Sequence, residues 1–158
     1  MTSTVIKIIV FIMSTSLLSV PTYAELIGFL NKDNVNKNRY VENEYVCWNY
    51  ACDLMNNANE ANINMFYIQL AGPGINHALV ATMTSDKGIV FIEPQLDRPA
   101  YVVDGFNYWS WFYGPHTTAD GTIQDILIYE GAARCDYLKE QQEAIRITKL
   151  LFPGIMEK

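Results

Sequence analysis

Histidine and cysteine are scarce in this chain: two of the first and three of the second among 158 residues. None of them falls in a tight paired spacing, which argues against a structural zinc site. Asp104-Gly105 and Asp120-Gly121 are turn formers without the regular acidic spacing that a calcium loop requires. No metal or other cofactor is expected. Basic residues are also few, 11 against 17 acidic ones, and the formal charge is -6. With no basic run to offset that charge, a phosphate backbone would be repelled, so nucleic acid is not an expected partner. The chain has no internal repeat and no low-complexity segment. What it does have is apolar and aromatic content: half the residues are hydrophobic and 13% are aromatic. That balance suits one globular domain with a real core.

The first 24 residues stand apart. Lys7 is their only charge, an apolar stretch runs from Ile8 to Val20, and Pro21-Thr22-Tyr23-Ala24 places small residues where a signal peptidase reads. A signal peptide over residues 1–24, cut after Ala24, is expected, with a single domain over 25–158. The apolar stretch is short for a membrane span and is broken by Ser14, Thr15, Ser16 and Ser19. A secreted or periplasmic protein with no stable membrane insertion after signal removal follows as the expectation. In an oxidising compartment an odd cysteine count leaves one thiol over. A disulfide between Cys52 and Cys135 would free Cys47; three reduced, buried thiols are the other reading.

The remaining pattern is helix, antiparallel strands, then helix, which makes the fold α+β. A short helix and a loop occupy residues 25–46. Residues 47–61 read as a helix whose Tyr50, Ala51, Leu54, Met55 and Ala58 form one apolar face, ending at Asn62, which tolerates left-handed backbone. Strands are predicted over Met65–Ala71, His77–Thr84, Ile89–Glu93, Ala100–Val103 and Thr122–Tyr129. A closing helix is predicted over Asp136–Phe152, with Leu138, Ile145, Leu150 and Leu151 as buried positions.

Cys47 opens the first long helix of this pattern. Free N–H groups and the positive end of the helix dipole favour a thiolate there and can help hold an oxyanion. A thiol nucleophile needs a base, commonly His. His77 begins one strand and Glu93 ends the next. If Ser85–Lys87 closes a three-residue hairpin, facing residue numbers sum to 172, and His77, Leu79, Glu93 and Gln95 share one face. A carboxylate there could accept the ring N–H of His77 and fix its tautomer. The other histidine, His116, lies in a predicted loop with no Cys or carboxylate spaced to work with it.

The segment Cys47-Trp48-Asn49-Tyr50-Ala51, running to Asn62-Ile63, resembles the start of the transglutaminase-like core: a Cys, an acidic residue, an aromatic and Ala, then a helix and Gly-Ile before a strand. His77-Ala78 through Phe91-Ile92-Glu93-Pro94 resembles its second part, a His, a hairpin and Asp-Pro. Together they cover roughly residues 40–95. The resemblance implies a papain-like core, with the Cys-bearing N-terminal helix packed on an antiparallel sheet and a closing C-terminal helix. It also implies roles: Cys47 as nucleophile, His77 as base and Glu93 as orienting acid. Glu93 replaces the family's Asp, Asn49 its Asp and Asn62 its Gly. Gln95, Trp48 and Asn49 are expected to line or orient the site.

Two functions of different kind are compatible with this. One is an exported thiol hydrolase or acyltransferase acting on amide bonds of a peptide or protein substrate through a thioester. The other is a catalytically inactive module on the same fold that binds through the aromatic stretch Tyr108 to Tyr113. Those aromatics would instead be core if they pack on the sheet.

Overall fold

The computed structural model describes residues 19–151. Helix α1 spans Tyr23–Leu30 and α2 spans Cys47–Glu60, with a single 3-10 turn, Val35–Lys37, between them. Strands β1 (Phe66–Gly72), β2 (Ile75–Thr84), β3 (Gly88–Glu93) and β4 (Arg98–Pro99) follow. A short helix α3 (Tyr108–Phe112), strand β5 (Asp125–Tyr129) and the long helix α4 (Gly131–Leu151) complete the chain. The five strands form one antiparallel sheet in the order β4-β3-β2-β1-β5.

Strand alternation divides the core in two. On one face Tyr67, Ala78, Val80 and Ile92 pack against Tyr50, Ala51, Leu54, Met55 and Ala58 of α2 and Leu26 and Leu30 of α1. All five residues of the predicted α2 stripe are buried. The helix ends as its sequence suggests: Asn62 takes φ 63°, and the N–H groups of Asn62 and Ile63 return to the carbonyls of Asn59 and Ala58. On the other face Ile68, Leu70, Leu79 and Ala81 pack with Tyr108 and Ile123. The aromatic stretch therefore belongs largely to a second core, and of its rings only Tyr113 is fully exposed.

Cys52 of α2 and Cys135 of α4 are joined by a disulfide across 83 residues, and Cys47 is the free cysteine. The bond secures only the near end of α4. Beyond Leu138, which packs on the core, Ile145, Leu150 and Leu151 are exposed, contrary to the expectation that they are buried. A 21-residue helix is about 31 Å long and outruns the sheet it leans on.

Other expectations need correction. The Cys-bearing helix is the second described, since α1 precedes it. The fourth strand is Arg98–Pro99 rather than Ala100–Val103, because the turn after Glu93 returns the chain with Arg98 and Pro99 opposite Glu93 and Ile92. Helix α4 starts at Gly131, five residues before the predicted Asp136. The leader region through residue 18 lies outside the described residues. Ser19–Ala24, by contrast, belong to the folded unit. Ser19 bridges to Ile63, Pro21 is buried, and Thr22 with Glu25 forms a capping box on α1. A cut after Ala24 would fall inside that helix.

Candidate active site

The site is built where β3 leaves β2. The pairs Thr84↔Gly88, Ala81↔Phe91 and Val80↔Ile92 carry the register that a three-residue hairpin dictates, and the ladder ends at the last of them. Pro94 has no N–H to donate, so β3 stops at Glu93. The chain then turns, Leu96 N–H returning to the Glu93 carbonyl at 3.1 Å. Strand β2 continues alone on that side, with His77 and Ala78 facing the gap.

His77 projects from the same face as Leu70, its partner across β1. Its Nε2–H donates to Oε2 of Glu93 at 2.7 Å. Both side chains are buried, Glu93 to 0% exposure. Such a carboxylate must be fully hydrogen-bonded to be tolerated. It accepts also from the Tyr108 hydroxyl on Oε2 at 2.6 Å and from the Gln95 N–H on Oε1 at 3.0 Å. The rings of Tyr108, Trp109 and Phe112 surround His77 at centroid distances of 5.3, 5.2 and 6.1 Å.

With Nε2 engaged by Glu93, the other ring nitrogen, Nδ1, is left for Cys47. The thiol approaches from α2, on the opposite face of the sheet, through the gap. Burial raises its pKa, but the hydrogen bond and charge of His77, with the N–H groups of Ala78 and Trp48, outweigh this and hold it below an ordinary thiol. The Ala78 N–H reaches the sulfur beside the end of the β2–β3 ladder. At the head of α2, Val46 offers no side-chain cap. Asn49 instead turns back to the Val46 N–H at 2.9 Å, which steadies the helix entry without covering its first free N–H groups. Burial pulls His77 down, yet its hydrogen bonds to Cys47 and Glu93 and their negative charge prevail and push it up to about 9. Cys47 is thus moved toward the thiolate and His77 toward the imidazolium.

The structure brings Cys47, His77 and Glu93 into one chain of contacts. Gln95 joins through its backbone rather than its amide, and Asn49 acts on the helix start. Trp48 is half-buried against the first core. Exposed His116 makes no hydrogen bond with these groups. Two participants escaped the sequence reading. The Ala78 N–H is freed only by the end of a ladder. Tyr108 lies 15 residues from Glu93, and its only signal is that a buried Tyr needs a partner for its hydroxyl. Tyr40 and Tyr113, at 52% and 68% exposure, form an aromatic rim, with Tyr40 near enough to Cys47 to be raised by it after the larger effect of burial. Among the described residues no three His, Cys, Asp or Glu side chains cluster as a metal site would need.

No protein-family model, curated protein or solved structure matches the chain. The geometry of the site therefore carries the functional argument.

Proposed function

We propose that the protein is an exported thiol enzyme of transglutaminase-like type that cleaves or transfers acyl groups at amide bonds. The observation that carries this reading is the buried His77–Glu93 pair, 2.7 Å apart, set against the one free cysteine. A structural cysteine needs neither a charged partner nor a helix start, whereas either one helps to ionise a nucleophilic thiol near neutral pH. The Cys52–Cys135 bond is compatible with an oxidising compartment.

In this mechanism the Cys47 proton resides on His77 and the thiolate attacks the amide carbonyl carbon. The developing oxyanion is held by N–H groups at the start of α2. Collapse breaks the C–N bond as His77 gives its proton to the departing amine, leaving a thioester on Cys47. Water or an amine then attacks the thioester, His77 removes the attacking proton, and the thiolate is restored. Hydrolysis and acyl transfer share every step up to the thioester and differ only in whether water or an amine takes the acyl group.

Incubation with a mixed peptide library, followed by mass spectrometry, tests the reading. An acyl adduct on Cys47, and new termini or amine-exchanged products absent with Cys47→Ala, are the expected result. A Cys47 that alkylates with iodoacetamide only near pH 8.5, as a free thiol does, would sink it. The exposed rim of Tyr40 and Tyr113 supports a second reading, a non-catalytic module on the same fold. Peptide binding unchanged in Cys47→Ala, without turnover by the native chain, would favour that.

A further inference from the structure

We infer that Tyr108 is a positioning residue of this site: its hydroxyl fixes the Glu93 carboxylate, and through it the orientation and charge of His77. The inference rests on the proposed Cys47–His77 chemistry and adds to it a fourth side chain from outside the segment that resembles the transglutaminase-like core.

The first support is shared chemistry at one atom. Oε2 of Glu93 accepts both from His77 Nε2 at 2.7 Å and from Tyr108 Oη at 2.6 Å. The second is that glutamate carries one methylene more than aspartate and so one more rotatable bond. A carboxylate on that longer arm can hold His77 in one place only if something holds the carboxylate. The Gln95 N–H restrains Oε1 and Tyr108 restrains Oε2. The third is the anchoring of Tyr108 itself, which is fully buried. Asn107 caps α3 through the Trp109 N–H, and Trp109 Nε1 donates to the Gly74 carbonyl at 2.9 Å, across the β1–β2 turn. Gly121 lets the indole settle: a Cβ there would lie 2.3 Å from the Trp109 ring. A short helix held at these points is a rigid mount for one hydroxyl.

The groups facing the His77–Glu93 pair are Cys47 from α2, Tyr108 from α3 and, farther off, Arg98 of β4, whose guanidinium stacks on Trp111 at 4.7 Å. Tyr108 keeps its proton throughout. Its hydrogen bond keeps the buried carboxylate turned toward the Nε2–H of His77. His77 can then hold the Cys47 proton on Nδ1 while donating from Nε2. Without that hydroxyl, the imidazolium loses part of its counter-charge and the thiolate with it.

The test is the pH dependence of iodoacetamide alkylation of Cys47 in the full, disulfide-intact chain, which needs no substrate. Tyr108→Phe keeps the ring and is expected to move the midpoint up by roughly one pH unit, about a tenfold lower rate on the acid limb. In a Glu93→Gln background the same change should add little, because the hydroxyl acts through the carboxylate. Replacing Tyr108 by 3-fluorotyrosine, nearly isosteric and a stronger donor, should move the midpoint the other way; it also serves if the Phe variant fails to fold. An activated Cys47 whose profile ignores both replacements overturns the inference alone. So does a Tyr108→Phe shift of equal size with and without Glu93, which marks general packing. An ordinary thiol profile in the native chain overturns the catalytic reading itself, and this inference with it.

Discussion

The two faces of the sheet are built differently and do different work. The α2 face is helix-covered and cross-linked: α1, α2 and the start of α4 cover it, and the Cys52–Cys135 bond ties two of those helices together. The opposite face is aromatic and hydrogen-bonded, with Tyr108, Trp109, Trp111 and Phe112 gathered over His77 and Glu93. The helix-covered face carries Cys47, and the aromatic face carries His77 and Glu93. The gap where β3 leaves β2 lets them meet. Separating the reactive halves in this way lets each be held by its own core. The pair forms only when both are in place, so stability and reactivity should respond to different substitutions.

The largest expected effect comes from breaking the meeting point. Cys47→Ala should lower amide turnover by on the order of 10⁴-fold, about 5 kcal/mol of barrier. It should lower the urea midpoint only modestly, through loss of the thiol that helps hold the His77 proton; rate assays and urea titration of the same variant check both halves. Next is the cross-link of the helix-covered face. Opening a loop of this length by Cys52→Ala with Cys135→Ala should cost about 4–5 kcal/mol in the chain-entropy account, read by urea unfolding. The pH profile of Cys47 alkylation, measured where the variant is folded, should stay in place.

Glu93→Gln probes the aromatic face. It keeps the size and an acceptor oxygen but removes the charge that supports imidazolium. A rate loss of roughly 10²-fold, about 2.7 kcal/mol, is expected, with the alkylation midpoint displaced upward. A loss of fold with no kinetic change in the surviving protein would count against the division of labour. The smallest effect is the linkage of stability to His77. Its pKa is raised from 6.5 to about 9. The stability this contributes is fully present below about pH 6.5 and is lost as pH rises through about 9, by roughly 1–3 kcal/mol. Urea titrations at pH 6, 8 and 10 should show that decline in the native chain and a shallower one in His77→Gln.

The α+β class, the α2 stripe from Tyr50 to Ala58 and the turn at Asn62 were legible because each is a local consequence of side-chain period or backbone tolerance. The β2–β3 register was legible too, since a three-residue hairpin leaves a single pairing. That register alone puts His77 and Glu93 on one face. Other features were not legible. Ile145, Leu150 and Leu151 are apolar at helical spacing, but nothing local says where a helix runs off its sheet. The strand expected at Ala100–Val103 failed for a similar reason: pairing depends on the neighbour, and Arg98–Pro99 takes the edge instead.

The sequence by itself determined the α2 helix, the central strands, the hairpin register and the scarcity that reduces the candidates to three cysteines and two histidines. Those properties reside in neighbouring residues and in counts. Only the tertiary structure decided that Cys52 takes Cys135, that Cys47 meets His77 through an opening between strands, and that Tyr108 closes over Glu93. Each joins groups from separate elements across the sheet, and such contacts are set by how the two cores pack rather than by any local preference of the chain.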